Sequence, residues 1–491
     1  MMSLPLSLYT AAQSRAVDSC AIETHGLPGP LLMARAARAA FDLLLNRVAE
    51  PPLLQVLCGP GNNGGDGLLL AVLAHGRGIP VRAWLVGGEP RSEDACAAAD
   101  KARSAGLVLR AFDAEQLEAQ GVVIDAMLGT GINGAPRPAF AGAIDAVNAL
   151  GLPVLALDMP SGVNSDTGYA EGPAVRATWT ISFITAKAGL FTGDGAVLSG
   201  ERTLNDLAVP LEAYGVAGPA LEVLDLDSLA ALLPERTAGA HKGNFGRCLL
   251  VGGDEGMGGA IVLAAEAALR TGVGLARAAT RAAHIAPLLA RRPECMAAAV
   301  DHRNDLQPLL DWPSAIVIGP GLGQAPWGEQ MLHAVRTCAR PLVIDADALN
   351  LLAVNPGPLP DGSIITPHPG EAARLLGCST AEIQADRFAA ATALAQRFNT
   401  VVVLKGQGTL VATVDRSMLC AAGNPGMASG GMGDVLSGML GGLLAQGLSA
   451  WDAACLGTSL HSEAADIAAM QHGEAGLLAS DLFAALAELL P

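Results

Sequence analysis

Charge is scarce in this 491-residue chain: 16% of residues are charged, and Asp and Glu outnumber Lys and Arg by 47 to 30. The resulting formal net charge of −17 repels nucleic-acid phosphates and anionic membranes, and no local Lys/Arg cluster offsets it. Close cysteine pairs are also missing. The nine cysteines (Cys20, Cys58, Cys96, Cys248, Cys295, Cys338, Cys378, Cys420 and Cys455) are scattered and odd in number. That pattern suits reduced thiols of a cytoplasmic protein better than a disulfide framework. From Met1 to Cys20 no basic segment leads into an apolar run, and the stretch carries Arg15 and Asp18, so no secretory leader is expected. The longest apolar stretch, Gly438 to Leu448, is glycine-rich and shorter than the roughly 20 residues that span a bilayer. Short-period repeats and low-complexity tracts are absent, as is any Gly-Lys-Ser/Thr triplet of a Walker loop.

What remains is a chain that is 51% hydrophobic with 59 glycines, a balance that fits compact α/β domains with tight loops. Its length calls for more than one core. Short apolar runs at Leu54–Cys58, Val81–Val86, Val122–Ala126, Val154–Leu157 and Trp179–Ile184 alternate with Ala-rich helical stretches. They predict an N-terminal, Rossmann-like doubly wound parallel sheet. A second series, near Cys248–Val251, Ala315–Ile318, Leu342–Ile344, Ser363–Ile365 and Thr400–Leu404, predicts a second α/β domain with its own core. The glycines at 215 and 218, Pro219 and the leucine-rich stretch to Pro234 put the boundary near 215–235, giving expected domains of 1–215 and 225–491.

The strongest local signal is Gly59-Pro60-Gly61-Asn62-Asn63-Gly64-Gly65-Asp66-Gly67, which follows a predicted strand and opens a predicted helix. Gly59, Gly61 and Gly64 satisfy the dinucleotide-binding spacing G-x-G-x-x-G, a pattern that also arises wherever a strand turns sharply into a helix. Asn62, Asn63 and Asp66 exceed what such a turn requires. Two later strand ends add Asp125 with Gly129-Thr130-Gly131-Ile132-Asn133-Gly134, and Asp158-Met159-Pro160-Ser161-Gly162. Carboxyl ends of parallel strands converge on one crevice, where amide, carboxylate and hydroxyl oxygens together suit a hard cation. Taken singly, each of these residues is also an ordinary turn or cap former.

In the second half, Gly423-Asn424-Pro425-Gly426-Met427-Ala428-Ser429-Gly430-Gly431-Met432-Gly433-Asp434 precedes a helical run. Consecutive small residues leave amides bare at a helix N-terminus, an arrangement able to hold charge building on a transferring phosphoryl group. Asp434 stands where it can take a proton from a hydroxyl, or else cap the helix. Lys405-Gly406-Gln407-Gly408-Thr409 and Thr366-Pro367-His368-Pro369-Gly370-Glu371 end two further predicted strands.

Over about residues 5–210 these motifs resemble the NAD(P)H-hydrate epimerase family. That resemblance implies that Asn62, Asn63, Gly64, Gly65, Asp66, Gly129, Thr130, Gly131, Ile132, Asn133, Gly134, Ala135 and Asp158 contact the hydrated nicotinamide nucleotide. It also implies that Asn63, Asp125 and Ser161 hold a potassium ion and that a carboxylate, here assigned to Asp158, moves the proton; Lys187, after the Trp179–Ile184 run, is a second candidate, for holding substrate or balancing charge, or else a surface lysine. Over about 225–491 the chain resembles the ribokinase-like superfamily, in its ADP- or ATP-dependent NAD(P)H-hydrate dehydratase branch. There Lys405, Gly406, Gln407, Gly408, Thr409 and Gly433 would hold the nucleotide with Mg²⁺, ADP being the expected one. Ala260, Gly321, His368 and Asp434 would hold the hydrate, Asp434 as catalytic base. The combination implies a bifunctional NAD(P)H-hydrate repair enzyme acting on NADHX and NADPHX, with a homo-oligomer as the expected assembly. Two other readings stay open at this point: a vitamin-precursor type kinase joined to a regulatory half, and a non-enzymatic first half that only senses or binds.

Overall fold

The computed structural model describes residues 7–490, which divide between Glu222 and Val223 into two compact units. In the first unit seven parallel strands lie in the order Leu109–Ala111, Val81–Leu85, Leu54–Cys58, Val122–Ala126, Val154–Leu157, Trp179–Phe183, Glu201–Asn205. The chain enters at Leu54–Cys58, moves outward through two strands, then returns to build the opposite flank. The order therefore reverses between Leu54–Cys58 and Val122–Ala126, and a crevice opens there above the carboxyl ends of the strands.

Strand periodicity explains why both faces are covered. Leu54, Val56, Ile124 and Ala126 pack with the helices Gly29–Arg47 and Asn62–Gly76, whereas Leu57 and Val123 pack with Phe140, Ile144 and Val147 of the helix Pro138–Leu150. The expected strands at 81–86 and 179–184 each end one residue early. The second stops because Ile184 turns to a φ of +62°. Two strands of this sheet were not anticipated, Leu109–Ala111 and Glu201–Asn205. Both are exposed or partly exposed edges, the first only three residues long with Arg110 at its centre and the second largely polar, so neither shows the apolar run of a central strand. A short strand, Ser7–Tyr9, pairs in parallel with Ala186–Lys187 and fixes the backbone that carries Lys187.

The second unit has a mixed sheet in the order Met296–Ala299, Leu275–Thr280, Arg247–Val251, Ala315–Ile318, Leu342–Ile344, Ile364–Ile365, Val401–Leu404, all parallel, followed by the antiparallel strands Thr409–Ala412 and Ser417–Cys420. Leu275–Thr280 and Met296–Ala299 are alanine-rich and carry no strand signal in the sequence. Helices Gly258–Arg270, Met432–Ala445 and Ala450–His472 bury one face. The glycine-rich stretch from Gly438 belongs to the second of these helices, where a Cβ at Gly438 would stand 2.2 Å from the Ala264 carbonyl oxygen. Its glycines permit close helix packing. Among the described residues no helix is long and apolar enough to cross a membrane.

Candidate functional site

In the first unit the Gly59 turn passes so close to the neighbouring loop that a Cβ at Gly59 would lie 1.8 Å from the Met127 carbonyl oxygen, and one at Gly64 would lie 1.9 Å from the Gly59 oxygen. Only glycine fits at either point. The turn delivers Asn63 to the first helical turn, where its side-chain Oδ1 and Nδ2 are both buried without a hydrogen-bond partner. Such an orphaned amide costs stability unless a ligand satisfies it.

Asp125, fully buried near the end of Val122–Ala126, accepts from the Ser161 amide (2.8 Å), the Ser161 hydroxyl (2.6 Å) and the Met127 amide (3.2 Å). Burial pushes its carboxyl up to about 6 despite these bonds. Asn63, Asp125 and Ser161 thus supply oxygen donors of the kinds a hard monovalent cation takes, with a buried carboxylate to balance its charge.

Asp158 terminates Val154–Leu157 at a φ of +66°, a strained conformation for a residue with a Cβ. Its Oδ1 meets the Lys187 ammonium at 2.5 Å, and Lys187, 2% exposed, also donates to the Phe183 carbonyl at 2.7 Å. Asp158 and Lys187 line a cavity of about 640 Å³ with Asn62, Asn63, Asp66 and residues 129–133. Burial, reinforced by repulsion from Asp158, Asp18 and Asp94, pushes the Asp66 carboxyl well above the usual range. Of the residues expected to touch substrate, Asn62, Asn63, Asp66, Gly129, Thr130, Gly131, Ile132, Asn133, Ala135 and Asp158 line this cavity. Gly64 packs on Gly59, Gly65 on Met33, and Gly134 faces Glu171, so these three lie outside its lining. Asp18 and Asp94, which stand in no glycine-rich motif, are also part of the lining.

In the second unit the centre is a charge cluster built around a residue that sequence reasoning missed. Asp345, buried after Leu342–Ile344, accepts from the Lys405 ammonium (2.7 Å) and the Thr366 hydroxyl (2.7 Å). Glu371 stands 3.9 Å from the same ammonium. Burial opposes the charge on Lys405, but Asp345 and Glu371 outweigh it and raise its pKa. A Cβ at Gly433 would lie 3.4 Å from both Asp345 Oδ2 and Lys405 Nζ, which brings the glycine-rich loop against the Lys405 turn.

Asp434 follows in the first turn of Met432–Ala445. The N-cap is Gly431, at a φ of +94°, and no side chain caps this helix, so the Asp434 carboxylate is not its cap. Burial and repulsion from Asp345, against attraction by Lys405, push that carboxyl up to about 7. Burial likewise carries Glu371 to about 7. His368 does cap a helix: its Nδ1 accepts from the amides of Gly370 (3.0 Å) and Glu371 (3.4 Å), which leaves the proton on Nε2. Ala260 and Gly321 adjoin, a Cβ at Gly321 lying 3.1 Å from that of Ala260, and the nearby Gly323 amide donates to Asp347 (3.0 Å). The strained Ala346, φ +48°, separates Asp345 from Asp347 and sends their carboxylates to different partners.

Residues 30–189 match the family described as YjeF-related protein N-terminus, and residues 248–488 match the NAD(P)H-hydrate dehydratase family. The chain is 45% identical over 478 residues to the bifunctional NAD(P)H-hydrate repair enzyme of Coxiella burnetii, covering 97% of this chain and 98% of that one. To the enzyme of the same description from Escherichia coli it is 43% identical, covering 100% and 95%. Among solved structures, the ADP/ATP-dependent NAD(P)H-hydrate dehydratase of Bacillus subtilis, co-crystallised with ATP and Mg²⁺, is similar at 33% identity and a TM-score of 0.50, over 54% of this chain and 96% of that one. Two motif sets, two matching families and relatives that align from end to end lead to one conclusion: the chain belongs to the family of bifunctional NAD(P)H-hydrate repair enzymes.

Proposed function

We propose that the first unit inverts the hydroxyl-bearing carbon of NADHX and NADPHX, and that the second uses ADP to dehydrate the S hydrate to NADH or NADPH. The observation that carries this division is the presence in each unit of one carboxylate cluster paired with a lysine, Lys187 buried in the first and Lys405 half-buried in the second. In the first unit the hydrate lies in the 640 Å³ cavity against Asn62, Asn63, Asp66 and the 129–135 loop. Water leaves the ring carbon on one face and returns on the other, so a proton must be given up and another removed. Asp158, which pairs with the Lys187 ammonium at 2.5 Å, removes the proton of the incoming water; burial and the neighbouring Asp158, Asp18 and Asp94 push the Asp66 carboxyl upward, which favours a role as hydrogen-bond donor to the hydrate. Potassium would sit between Asn63, Asp125 and Ser161, where its charge anchors the substrate's anionic side. The buried, unpartnered amide of Asn63 and the buried Asp125 carboxylate support that placement.

In the second unit Asp434 takes the proton of the hydrate's hydroxyl, whose oxygen attacks the terminal phosphorus of ADP and releases AMP. Phosphate then leaves the ring carbon while the adjacent carbon loses a proton, which restores the double bond. Lys405, Gly406, Gln407, Gly408, Thr409 and Gly433 hold the nucleotide; Ala260, Gly321 and His368 hold the hydrate. Mg²⁺ would arrive on the nucleotide phosphates and neutralise their charge. A reducing cytoplasm suits the nine free cysteines.

Product analysis tests the nucleotide assignment. With pure S hydrate and ADP, NADPH, AMP and inorganic phosphate should form in equal amounts. A stable phosphorylated hydrate would overturn the dehydratase mechanism and favour a kinase.

A further inference from the structure

The turn Lys405–Thr409 is built over a buried cation. Arg387, in the first turn of the helix Arg387–Phe398, has no solvent exposure. Its Nη2 donates to the carbonyls of Leu404 (3.2 Å), Lys405 (3.3 Å) and Gly408 (3.3 Å), and its Nη1 donates to Gln384 Oε1 (2.9 Å). Burial lowers its pKa only to about 10, so it stays charged at neutral pH. A buried guanidinium is tolerated when its fixed fork of donors finds acceptors, and here most of those acceptors are the backbone of one short turn.

Peptide planarity carries the effect to the other side of the turn. In a trans peptide the carbonyl and the following N–H point in opposite directions, and the described chain has no cis peptide. Drawing the Leu404 carbonyl inward turns the Lys405 amide outward, where it donates to the Pro367 carbonyl at 2.9 Å. Drawing the Lys405 carbonyl inward turns the Gly406 amide outward as well, and that amide donates to no group among the described residues. Gly406 itself sits at a φ of +132°, and a Cβ there would lie 3.0 Å from Arg387 Nη1. The glycine is required both by the turn and by the guanidinium beneath it.

We infer that Arg387 is a positioning residue for the nucleotide: by drawing three carbonyls inward it aims the free Gly406 amide outward and sets a fixed positive charge behind the phosphates. The inference rests on the reading of Lys405–Thr409 as the nucleotide turn. Arg387, with no solvent exposure, acts on the nucleotide through the turn above it.

Steady-state kinetics and amide hydrogen exchange on the full-length enzyme test both levels. ADP should slow exchange across residues 404–410 of the unsubstituted protein. Arg387→Met should raise the KM for ADP by about tenfold or more, as the loss of charged hydrogen bonds implies, while the KM for the hydrate stays put. Arg387→Lys, which keeps the charge but loses the fork, should recover part of the loss. Should Arg387→Met fail to fold, Gln384→Met frees the guanidinium on one side without stranding it and should raise the same KM by about threefold. Protection by ADP in the unsubstituted enzyme, with unchanged ADP KM in folded Arg387 and Gln384 variants, would overturn the inference and leave the turn's role intact. No protection by ADP at 404–410 would overturn both.

Discussion

Asp434 carries the clearest prediction at the scale of a single residue. Its carboxyl is held at about 7 by burial and Asp345, so near neutrality it is partly protonated. A general base works only when ionised; the dehydratase kcat/KM should therefore climb about tenfold per pH unit below 7 and level off above it. Asp434→Asn should abolish that limb and lower the rate by about a hundredfold or more. A pH profile that keeps its acid limb in Asp434→Asn would assign the base elsewhere. Asp125 makes a second prediction, this time for stability. Its folded pKa of about 6 exceeds the ordinary 3.8, so the native state binds the proton more tightly than the unfolded state does. Without a cation, stability should fall as pH rises through this interval, because ionising a buried carboxylate costs free energy. Potassium should offset that cost. The gain in Tm on replacing choline with K⁺ should grow between pH 5 and 8 and vanish in Asp125→Asn; a gain independent of pH would place the ion elsewhere.

At the scale of the element, strand-to-helix turns do the positioning, and their glycines were legible because close backbone approach leaves no other choice. Gly59→Ala would drive a Cβ into the Met127 carbonyl, which cannot rotate away. The substitution should destabilise the first unit by about 3 kcal/mol and lower its denaturant midpoint; an unchanged midpoint would mean that the turn can relax. Central strands were equally legible, since Leu54–Cys58 and Val122–Ala126 are apolar throughout or nearly so. The edge strand Glu201–Asn205 and the alanine-rich Leu275–Thr280 were not, because exposure in one and small side chains in the other erase the hydrophobic pattern. The site shows the same divide. Asn63, Asp158 and Asp434 sit in motifs with irregular glycine content. Asp345 and Arg387 follow or lie within ordinary apolar segments, and only the fold brings them to Lys405 and its turn.

For the whole molecule, the decisive feature is that both halves occur in one chain, as they do in relatives that align over nearly their full length. Spontaneous hydration gives both epimers, and a dehydratase that takes one of them strands the other unless an epimerase is at hand. Acidic overall charge does not hinder such an enzyme, because backbone amides at glycine turns and the paired lysines Lys187 and Lys405 supply the positive potential that phosphates need. A single chain should therefore convert both epimers to reduced nucleotide through two separate sites. Recovery of the reduced-nicotinamide absorbance is the decisive readout, starting from a mixture of both NADPH hydrate epimers with Mg²⁺, K⁺ and ADP. Complete recovery by the unsubstituted enzyme, stopping at the S fraction in Asp158→Ala and absent in Asp434→Asn, is the predicted result. Complete and equally fast recovery in Asp158→Ala, or no recovery by the unsubstituted enzyme with ADP or ATP, would contradict it.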